Sequence, residues 1–322
     1  MKRSTVVFFA LAWIVMPAVA GLAGESPLYT RQEDVIYGRK YGMALTLDVF
    51  RPKEQANGLG VVFVVSGGWF SGHNIEGLVP SFTPLLQRGY TVFPVVHGSQ
   101  PKFTIPEILL DMHRAVRFIR YHAKDYGIDP DRIGITGGSA GGHLSLMQGT
   151  AGDKGNPNAK DPVDRVSSRV QAVACFFPPT DFLNYGKPGE SALGRGTLRD
   201  FSAPFDFNEL DPKQKKFVPI TDQEKILEIG RRISPINHVS ADSAPTLILH
   251  GDKDLLVPMQ QAEAMIEKLK AAGVDAKLVV KPGAVHGWPN MHKDVSLIVD
   301  WFDSHLKAQG AAAKDKAATP AP

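Results

Sequence analysis

The residues best suited to chemistry surround a serine at positions 137–142, where the sequence reads Gly-Gly-Ser-Ala-Gly-Gly. A β-type run at 132–136 leads directly into this segment, and residues 143–146 continue as a predicted helix. A G-x-S-x-G pattern between a strand and a helix is typical of a nucleophile elbow, a sharp turn that requires small neighbours and places a helix N-terminus under the serine. The pattern predicts Ser139 as the nucleophile of an acyl-transfer reaction. Because the pattern is short, the alternative is a glycine-rich loop without a catalytic role.

A serine hydroxyl is a poor nucleophile unless a base lies within hydrogen-bond reach, and the chain offers 10 histidines. His286 is the best candidate because it lies in a glycine-flanked loop after the last predicted strand, where the chain order Ser, Asp, His requires the base. Its competitors are His250, which closes a predicted strand, and His143, which lies one turn beyond Ser139. The others are expected to be surface or packing residues: His73, His97, His113, His122, His238, His292 and His305.

The acid that orients the base is expected within residues 249–258, at the end of the penultimate predicted strand. Asp252 and Asp254 are both candidates, since the acid must reach across the carboxyl edge of the sheet to hold the correct histidine tautomer. Asp252 directly follows Gly251 and is suited to capping the turn, an ordinary structural role for aspartate. Position therefore favours Asp254 but leaves Asp252 open.

These residues need a scaffold, and the chain predicts one by alternating short β-type runs with amphipathic helical stretches. This alternation is the signature of a doubly wound, mostly parallel sheet with helices on both faces, in which ligands bind at the carboxyl ends of the strands. The predicted strands are 44–50 at an edge of the sheet, 60–65, 90–96, 132–136, 170–177, 246–250 and 276–280. The predicted helices are 105–123, 259–272 and 294–306.

Composition excludes several classes of function. The formal net charge of +3 is small for 322 residues, and the sequence has no run of Lys and Arg that would bind nucleic acid. Its single cysteine, Cys175, lies in an apolar run and is expected to pack in the core, so neither a disulfide framework nor a zinc cluster is available. No metal or organic cofactor is implied.

The first twenty residues are predicted to be a signal peptide. Two basic residues precede an apolar stretch at 6–15, and Ala-Val-Ala at 18–20 suits a signal peptidase, so we expect cleavage after Ala20 and a secreted or periplasmic protein. A stable membrane anchor is not expected, because the apolar stretch is shorter than the roughly 20 residues that span a bilayer. Residues 309–322 are rich in Ala, Lys and Pro and are predicted to be a disordered tail, which leaves 21–308 as one catalytic domain.

Three segments together resemble the α/β-hydrolase esterases, especially the bacterial acetyl, feruloyl and hormone-sensitive-lipase-like branch. They are the serine segment at 137–142, the His-Gly-Asp-Lys-Asp segment at 250–254 with Val-Pro at 257–258, and the Val-His-Gly segment at 285–287. The resemblance covers residues 35–306. It implies the α/β-hydrolase fold and a triad of Ser139, His286 and Asp254.

The resemblance also implies an oxyanion hole made by the backbone N–H groups of Gly67, Gly68 and Ala140. One departure stands out. The family has His-Gly-Gly-Gly-Trp after the third strand, whereas this chain has Val-Ser-Gly-Gly-Trp at 65–69. The histidine that normally braces the loop is absent, so the loop is expected to be supported differently, through Ser66.

Specificity is expected from a long connection between two core strands, residues 178–243, which is predicted to fold a small cap over the site. Trp69, Phe70, His143 and Trp288 flank the catalytic segments and are predicted to contact the substrate. Export favours a small-molecule or polysaccharide-derived ester, such as an acetyl or feruloyl ester. The sequence does not indicate the oligomeric state.

Other functions fit the same residues. A prolyl-oligopeptidase-like serine peptidase shares the fold and the order of the triad, but the chain has no room for the large N-terminal propeller of those enzymes. A lipase differs only in its acyl-chain preference. A non-catalytic binding module with this fold would typically lose the serine or the histidine, and both are present.

Overall fold

A computed structural model of the chain describes residue 26 and residues 28–307. The predicted signal peptide at 1–20 and the predicted tail at 309–322 therefore lie outside the described residues. Within the described part, no helix combines the length and the apolar character that crossing a bilayer would require.

Ten strands and seven α-helices alternate along the described chain. The strands are β1 (Tyr29–Lys40), β2 (Met43–Pro52), β3 (Gly60–Val65), β4 (Thr91–Val96), β5 (Ile133–Gly138), β6 (Ala172–Phe176), β7 (Asn208–Asp211), β8 (Lys216–Pro219), β9 (Thr246–Gly251) and β10 (Ala276–Lys281). The helices are α1 (Val79–Gln87), α2 (Ile105–Tyr121), α3 (Ala123–Tyr126), α4 (Ala140–Ala151), α5 (Gln223–Arg232), α6 (Gln260–Ala271) and α7 (Val295–Phe302), and a π-helical turn, Asp303–Lys307, follows α7.

Eight strands form one sheet in the order β1-β2-β4-β3-β5-β6-β9-β10. Strands β1, β2 and β4 pair antiparallel, and all other neighbours pair parallel. The mostly parallel, doubly wound sheet predicted from the alternating pattern is confirmed, and so is the α/β-hydrolase fold. One detail was wrong. Residues 44–50 were expected at the edge of the sheet, but β2 is an internal strand that β1 covers.

Strand β1 escaped prediction because its sequence does not alternate cleanly. Its register with β2 shifts between Gln32 and Val35 and again between Ile36 and Gly38. Each shift is a bulge-like irregularity that changes which side chains face the core, so the period of two disappears from the sequence. The strand is recognisable only from its pairing with β2.

Helices cover both faces of the sheet because the parallel strands are apolar on both sides. Val62, Ile135 and Cys175 pack against helices α2, α4 and α6 on one face. Alternate residues such as Val61 and Ala174 pack against α1 and α7 on the other face. Burial in this core raises the pKa of the Cys175 thiol, which suits the predicted packing role.

Helix α2 shows how local signals set its ends. Thr104 and Glu107 form a capping box at its start, which satisfies two backbone N–H groups that the helix leaves unpaired. The predicted helix at 105–123 breaks at His122, and the short turn α3 then ends at Gly127, whose φ of +66° suits a left-handed helix terminus. The apolar residues spaced at helical intervals along α2 are buried, namely Ile108, Leu109, Met112, Val116 and Ile119.

The connection between β6 and β9 carries structure of its own, and we call residues 178–243 the insertion. It contains two short 3₁₀ turns, Gly196–Phe201 and Ala203–Phe205, followed by the β7–β8 hairpin and helix α5. Its aromatic residues Phe182, Phe205 and Phe207 are buried in the same cluster as the helices on one face of the sheet. The insertion therefore packs onto the hydrolase core.

Candidate active site

The serine predicted as nucleophile stands at the turn between β5 and α4. Ser139 has φ 54° and ψ −120°, a conformation that a residue with a side chain rarely adopts and that is often found at functional sites. The residues two positions away on either side have little room for a side chain: a Cβ at Gly137 would lie 2.7 Å from the backbone of Gly141, and one at Gly141 would lie 3.0 Å from the Val64 carbonyl oxygen. The backbone N–H of Ser139 donates to the Phe176 carbonyl oxygen at 3.0 Å, which ties the turn to β6.

The three residues predicted as a triad lie within hydrogen-bond distance of one another. His286 Nε2 is 2.9 Å from Ser139 Oγ, and His286 Nδ1 is 2.7 Å from Asp254 Oδ2. Because an ionised carboxylate can only accept, Nδ1 carries the proton and Nε2 is free to accept the serine proton. The ring is thus in the tautomer that a general base requires.

Asp254 is buried and strongly hydrogen-bonded. Its Oδ1 accepts from the backbone N–H groups of Leu256 and Val257, both at 2.9 Å. Burial alone would raise the pKa of this carboxyl, but the adjacent His250 at 3.5 Å and the hydrogen-bonded His286 outweigh burial and lower the pKa to about 2. The carboxylate therefore stays ionised at any pH at which the protein would work.

The alternative acid and the alternative base both have structural roles. Asp252 accepts a hydrogen bond from the backbone N–H of Gly283 at 2.7 Å, which fastens the loop that carries His286. His250 is buried and donates from Nε2 to the Val257 carbonyl oxygen at 2.8 Å. Neither side chain is within hydrogen-bond distance of Ser139 in the described structure.

Residues 67–70, which include the predicted oxyanion donors Gly67 and Gly68, are called the oxyanion loop. They form a tight turn in which Gly67 and Phe70 exchange two backbone hydrogen bonds, at 3.0 and 2.9 Å. Its two central residues, Gly68 and Trp69, have φ of +54° and +60°, as a type I′ turn requires. The expectation for Gly67 is therefore corrected, because its N–H is used inside the turn. Within residues 28–307, by contrast, no acceptor faces the N–H groups of Gly68 and Ala140, and Ala140 begins helix α4.

Two residues of the segment after β4 hold this loop, and sequence reasoning missed both. Gln100 donates from its backbone N–H to the Trp69 carbonyl oxygen and from its side-chain amide to the Gly68 carbonyl oxygen, both at 3.2 Å. His97 donates from Nδ1 to the Gly98 carbonyl oxygen at 2.8 Å, so its Nε2 accepts from the Ser66 hydroxyl at 2.9 Å. Ser66 thus supports the loop through His97, and no local pattern marks either residue.

The predicted substrate contacts divide into buried and exposed residues. His143 is fully buried, so its side chain packs beneath the site and does not reach the substrate, contrary to the prediction. Trp69 is only 2% exposed but lines the opening beside Ser139, so its contact with the substrate stays a prediction. Trp69 Nε1 donates to His143 Nδ1 at 3.1 Å, and His143 Nε2 donates to the Ile233 carbonyl oxygen at 2.7 Å. Both ring nitrogens are thus engaged away from Ser139, which excludes His143 as the base, and burial lowers its pKa to about 4. These two residues brace the oxyanion loop from below.

The other two predicted contacts lie at the mouth of the site. Phe70 is 58% exposed beside the oxyanion loop. Trp288 is partly buried, packs edge-on against Phe177, and donates from Nε1 to Asp294 at 2.7 Å. Since the Phe177 ring also lies against His286, at 4.5 Å between centroids, Trp288 indirectly supports the histidine loop.

Residues 47–269, which include Ser139 and Asp254, match the BD-FAE family. The chain belongs to the BD-FAE family. A second match, to the dienelactone hydrolase family, covers residues 230–319. Both matches agree with the α/β-hydrolase fold described above.

Several proteins similar to this BD-FAE member are esterases by name, and one, YuxL of Bacillus subtilis, is named an uncharacterized peptidase, with 30% identity over 57% of this chain. The probable carboxylic ester hydrolase LipM of Mycobacterium tuberculosis is 32% identical over 75% of this chain and 52% of its own length. Esterase LipQ of the same organism is 29% identical over 78% of this chain and 56% of its own length, so the chain spans about half the length of these relatives. A solved carbohydrate esterase from gut microbiota, in truncated form, has a TM-score of 0.67 and 27% identity and covers 88% of this chain and 99% of its own.

A narrow notch opens beside the serine of this BD-FAE site. We define the notch by its lining residues, Gly68, Trp69, Ser139, Pro179, Leu198, Phe201, Leu256 and Val257. Pro179, Leu198 and Phe201 belong to the insertion, whereas the others come from the carboxyl edge of the sheet or the loops beside it. Apart from Ser139 and the glycine, the lining is apolar, so the notch suits an apolar group next to the nucleophile.

Proposed function

We propose that this protein is a serine carboxylesterase that hydrolyses short-chain or polysaccharide-linked esters through an acyl-enzyme intermediate. The observation that carries the proposal is the relay in which His286 lies 2.9 Å from Ser139 Oγ and 2.7 Å from Asp254. Such a relay activates a serine hydroxyl only when all three groups are aligned.

In the proposed reaction His286 takes the proton of Ser139 as Oγ attacks the ester carbonyl. The N–H groups of Gly68 and Ala140 donate to the oxygen that becomes negative, at the start of helix α4. His286 then protonates the leaving alcohol, and the acyl group stays on Ser139. A water molecule repeats the sequence, releases the acid and restores the serine.

LipM and LipQ support an ester substrate, because they are named as a carboxylic ester hydrolase and an esterase. The carbohydrate esterase of similar fold supports a sugar-bound ester. A polysaccharide-derived substrate also suits the proposed export to the periplasm or the medium. Export is tested by the N-terminal sequence of the protein recovered from its native host: a start at Gly21 supports it, and an intact Met1 contradicts it.

The activity is tested with p-nitrophenyl esters from acetate to palmitate, on the wild type and on Ser139→Ala. We expect a wild-type rate on short chains that falls by about 10⁴-fold or more in the variant, because removing the nucleophile leaves only binding and oxyanion contacts. A wild-type rate no higher than that of the variant on every ester would overturn the proposal. Peptide substrates would then test the peptidase alternative, and a preference for long chains would indicate a lipase.

A further inference from the structure

The side of the serine on which the acyl group must lie follows from the position of His286. In the proposed reaction His286 protonates the leaving alcohol, so the alcohol occupies the side of Ser139 next to the imidazole. His286 and its neighbour Val285 do not line the notch. The acyl group therefore points into the notch, away from the histidine.

The notch leaves very little room. The part of it that a water-sized group can enter is about 10 Å³, which is room for about one such group. A methyl group next to the carbonyl is close to this size, whereas a longer chain or an aromatic acyl group would collide with the wall. The wall opposite the sheet is formed by Leu198, which is buried, and by the ring of Phe201.

Phe201 is the part of the wall that reaches the oxyanion loop. A Cβ placed on Gly68 would lie 2.4 Å from Phe201 Cε1 and 2.5 Å from Cδ1, so the ring edge rests directly on the glycine. This glycine presents one of the two proposed oxyanion donors. A ring in this place borders both the carbonyl oxygen and the first carbon of the acyl group.

The alcohol side is open by comparison. Three apolar residues that directly follow Trp69, Asp254 and Ala284 are exposed at the surface: Phe70 by 58%, Leu255 by 86% and Val285 by 56%. Because each directly follows a residue of the site or of the loop that carries His286, we place these exposed side chains at the border of the site. A bulky alcohol such as a sugar unit of a polymer can lie against these residues.

We propose that Phe201 determines specificity by limiting the acyl group to acetyl, so that the substrates are acetyl esters of bulky alcohols and not feruloyl esters. The inference rests on the proposed esterase function. Its structural basis is the contrast between the notch closed by Phe201 and the open mouth beside His286.

The experiment compares kcat/KM on p-nitrophenyl acetate, butyrate and hexanoate for wild type, Phe201→Ala and Phe217→Ala. Phe217 is the matched control, because it belongs to the same insertion but is 58% exposed on the β7–β8 hairpin. We expect wild type to prefer acetate over hexanoate by at least about 100-fold. Phe201→Ala should raise the hexanoate-to-acetate ratio by about 10- to 100-fold, as expected when several methylenes gain a pocket. Phe217→Ala should keep the wild-type ratio.

The outcomes separate this inference from the function on which it rests. Ester hydrolysis that does not depend on Ser139 contradicts the proposed function itself. Ser139-dependent hydrolysis with an unchanged ratio in Phe201→Ala overturns only the role of Phe201. If that variant does not fold, as judged by its thermal unfolding, Phe201→Leu provides a smaller change with the same expected direction. The wild type alone also tests the acetyl limit, because efficient hydrolysis of p-nitrophenyl hexanoate or of methyl ferulate would contradict it.

Discussion

The carboxyl edge of the sheet and the insertion meet at the serine, yet they are held in different ways. At the edge, backbone and charged hydrogen bonds fix each group, as in the contact of Asp254 with the N–H groups of Leu256 and Val257. The insertion contributes mainly aromatic packing, in which Phe182 and Phe205 surround the Trp69 ring. Hydrogen bonds fix the orientation of a reacting group, whereas packing fixes how much space is left beside it. The edge is therefore suited to perform the reaction, and the insertion is suited to select the acyl group.

A single buried histidine joins the two regions. His143 stands on helix α4 one turn beyond Ser139, accepts from Trp69 of the oxyanion loop and donates to the Ile233 carbonyl oxygen of the insertion. Its ring also packs against Phe182 at 5.1 Å between centroids. A change in the position of the insertion would therefore be transmitted to the oxyanion loop.

The largest effect that would test this division of roles is expected from Asp254→Asn. The amide can no longer hold Nδ1–H of His286 in the required tautomer, so kcat should fall by about 10³- to 10⁴-fold. If the edge performs the reaction and the insertion selects the acyl group, the fall should be the same for acetate and butyrate. Asp252→Asn is the matched control and should stay within about 10-fold of wild type, since Asp252 only fastens Gly283. Equal losses in the two variants would show that the acid is misassigned.

A smaller effect is expected where the two regions touch. Gly68→Ala should lower kcat/KM by about 10²-fold, because a Cβ at φ +54° is strained and collides with the Phe201 ring beside an oxyanion donor. Gly67→Ala should lose much less, as nothing lies within 4 Å of its added Cβ. Adding Phe201→Ala to Gly68→Ala removes the collision and should recover part of the loss. Strict additivity in this double-mutant cycle would contradict the contact.

The smallest effect of a single side chain concerns stability in acid. Burial lowers the pKa of His97, His113 and His143 from 6.5 to about 4. Below pH 6.5 each of these histidines is protonated in the unfolded chain, but in the folded chain it stays neutral until about pH 4. The free energy of unfolding therefore decreases as the pH is lowered from 6.5 to 4. Each histidine should cost about 2 kcal/mol at pH 5 relative to pH 7. Asp254 acts later, because its pKa of about 2 means that its contribution is lost only below pH 3.8.

Urea unfolding at pH 7 and pH 5 measures this effect. His143→Gln should reduce the difference between the two pH values by about 2 kcal/mol, even though the variant is less stable at both. His292→Gln, at an exposed position, should keep the wild-type difference. If His143→Gln also kept the wild-type difference between pH 7 and pH 5, His143 would not be responsible for acid sensitivity.

The sequence predicted the nucleophile elbow and the buried parallel strands well because these depend on local rules. The glycines beside Ser139 and the continuous apolar strands express requirements that hold within a few residues. Strand β1 was missed because its bulges remove the alternating pattern. Gly67 was misassigned for another reason, since whether its N–H is free depends on the turn that it forms with Phe70.

The sequence by itself determined the fold class, the family and the chain order of Ser139, Asp254 and His286. Each of these follows from short segments whose residues must meet local steric or chemical requirements. Only the tertiary structure decided which side chains are buried beneath the site, what braces its loop and how much room the notch leaves. Those properties arise from contacts between residues far apart in the chain, such as Gly68 with Phe201 and Ser66 with His97. A pattern read along the sequence carries no distance between such residues, and their spacing is set only when the core packs.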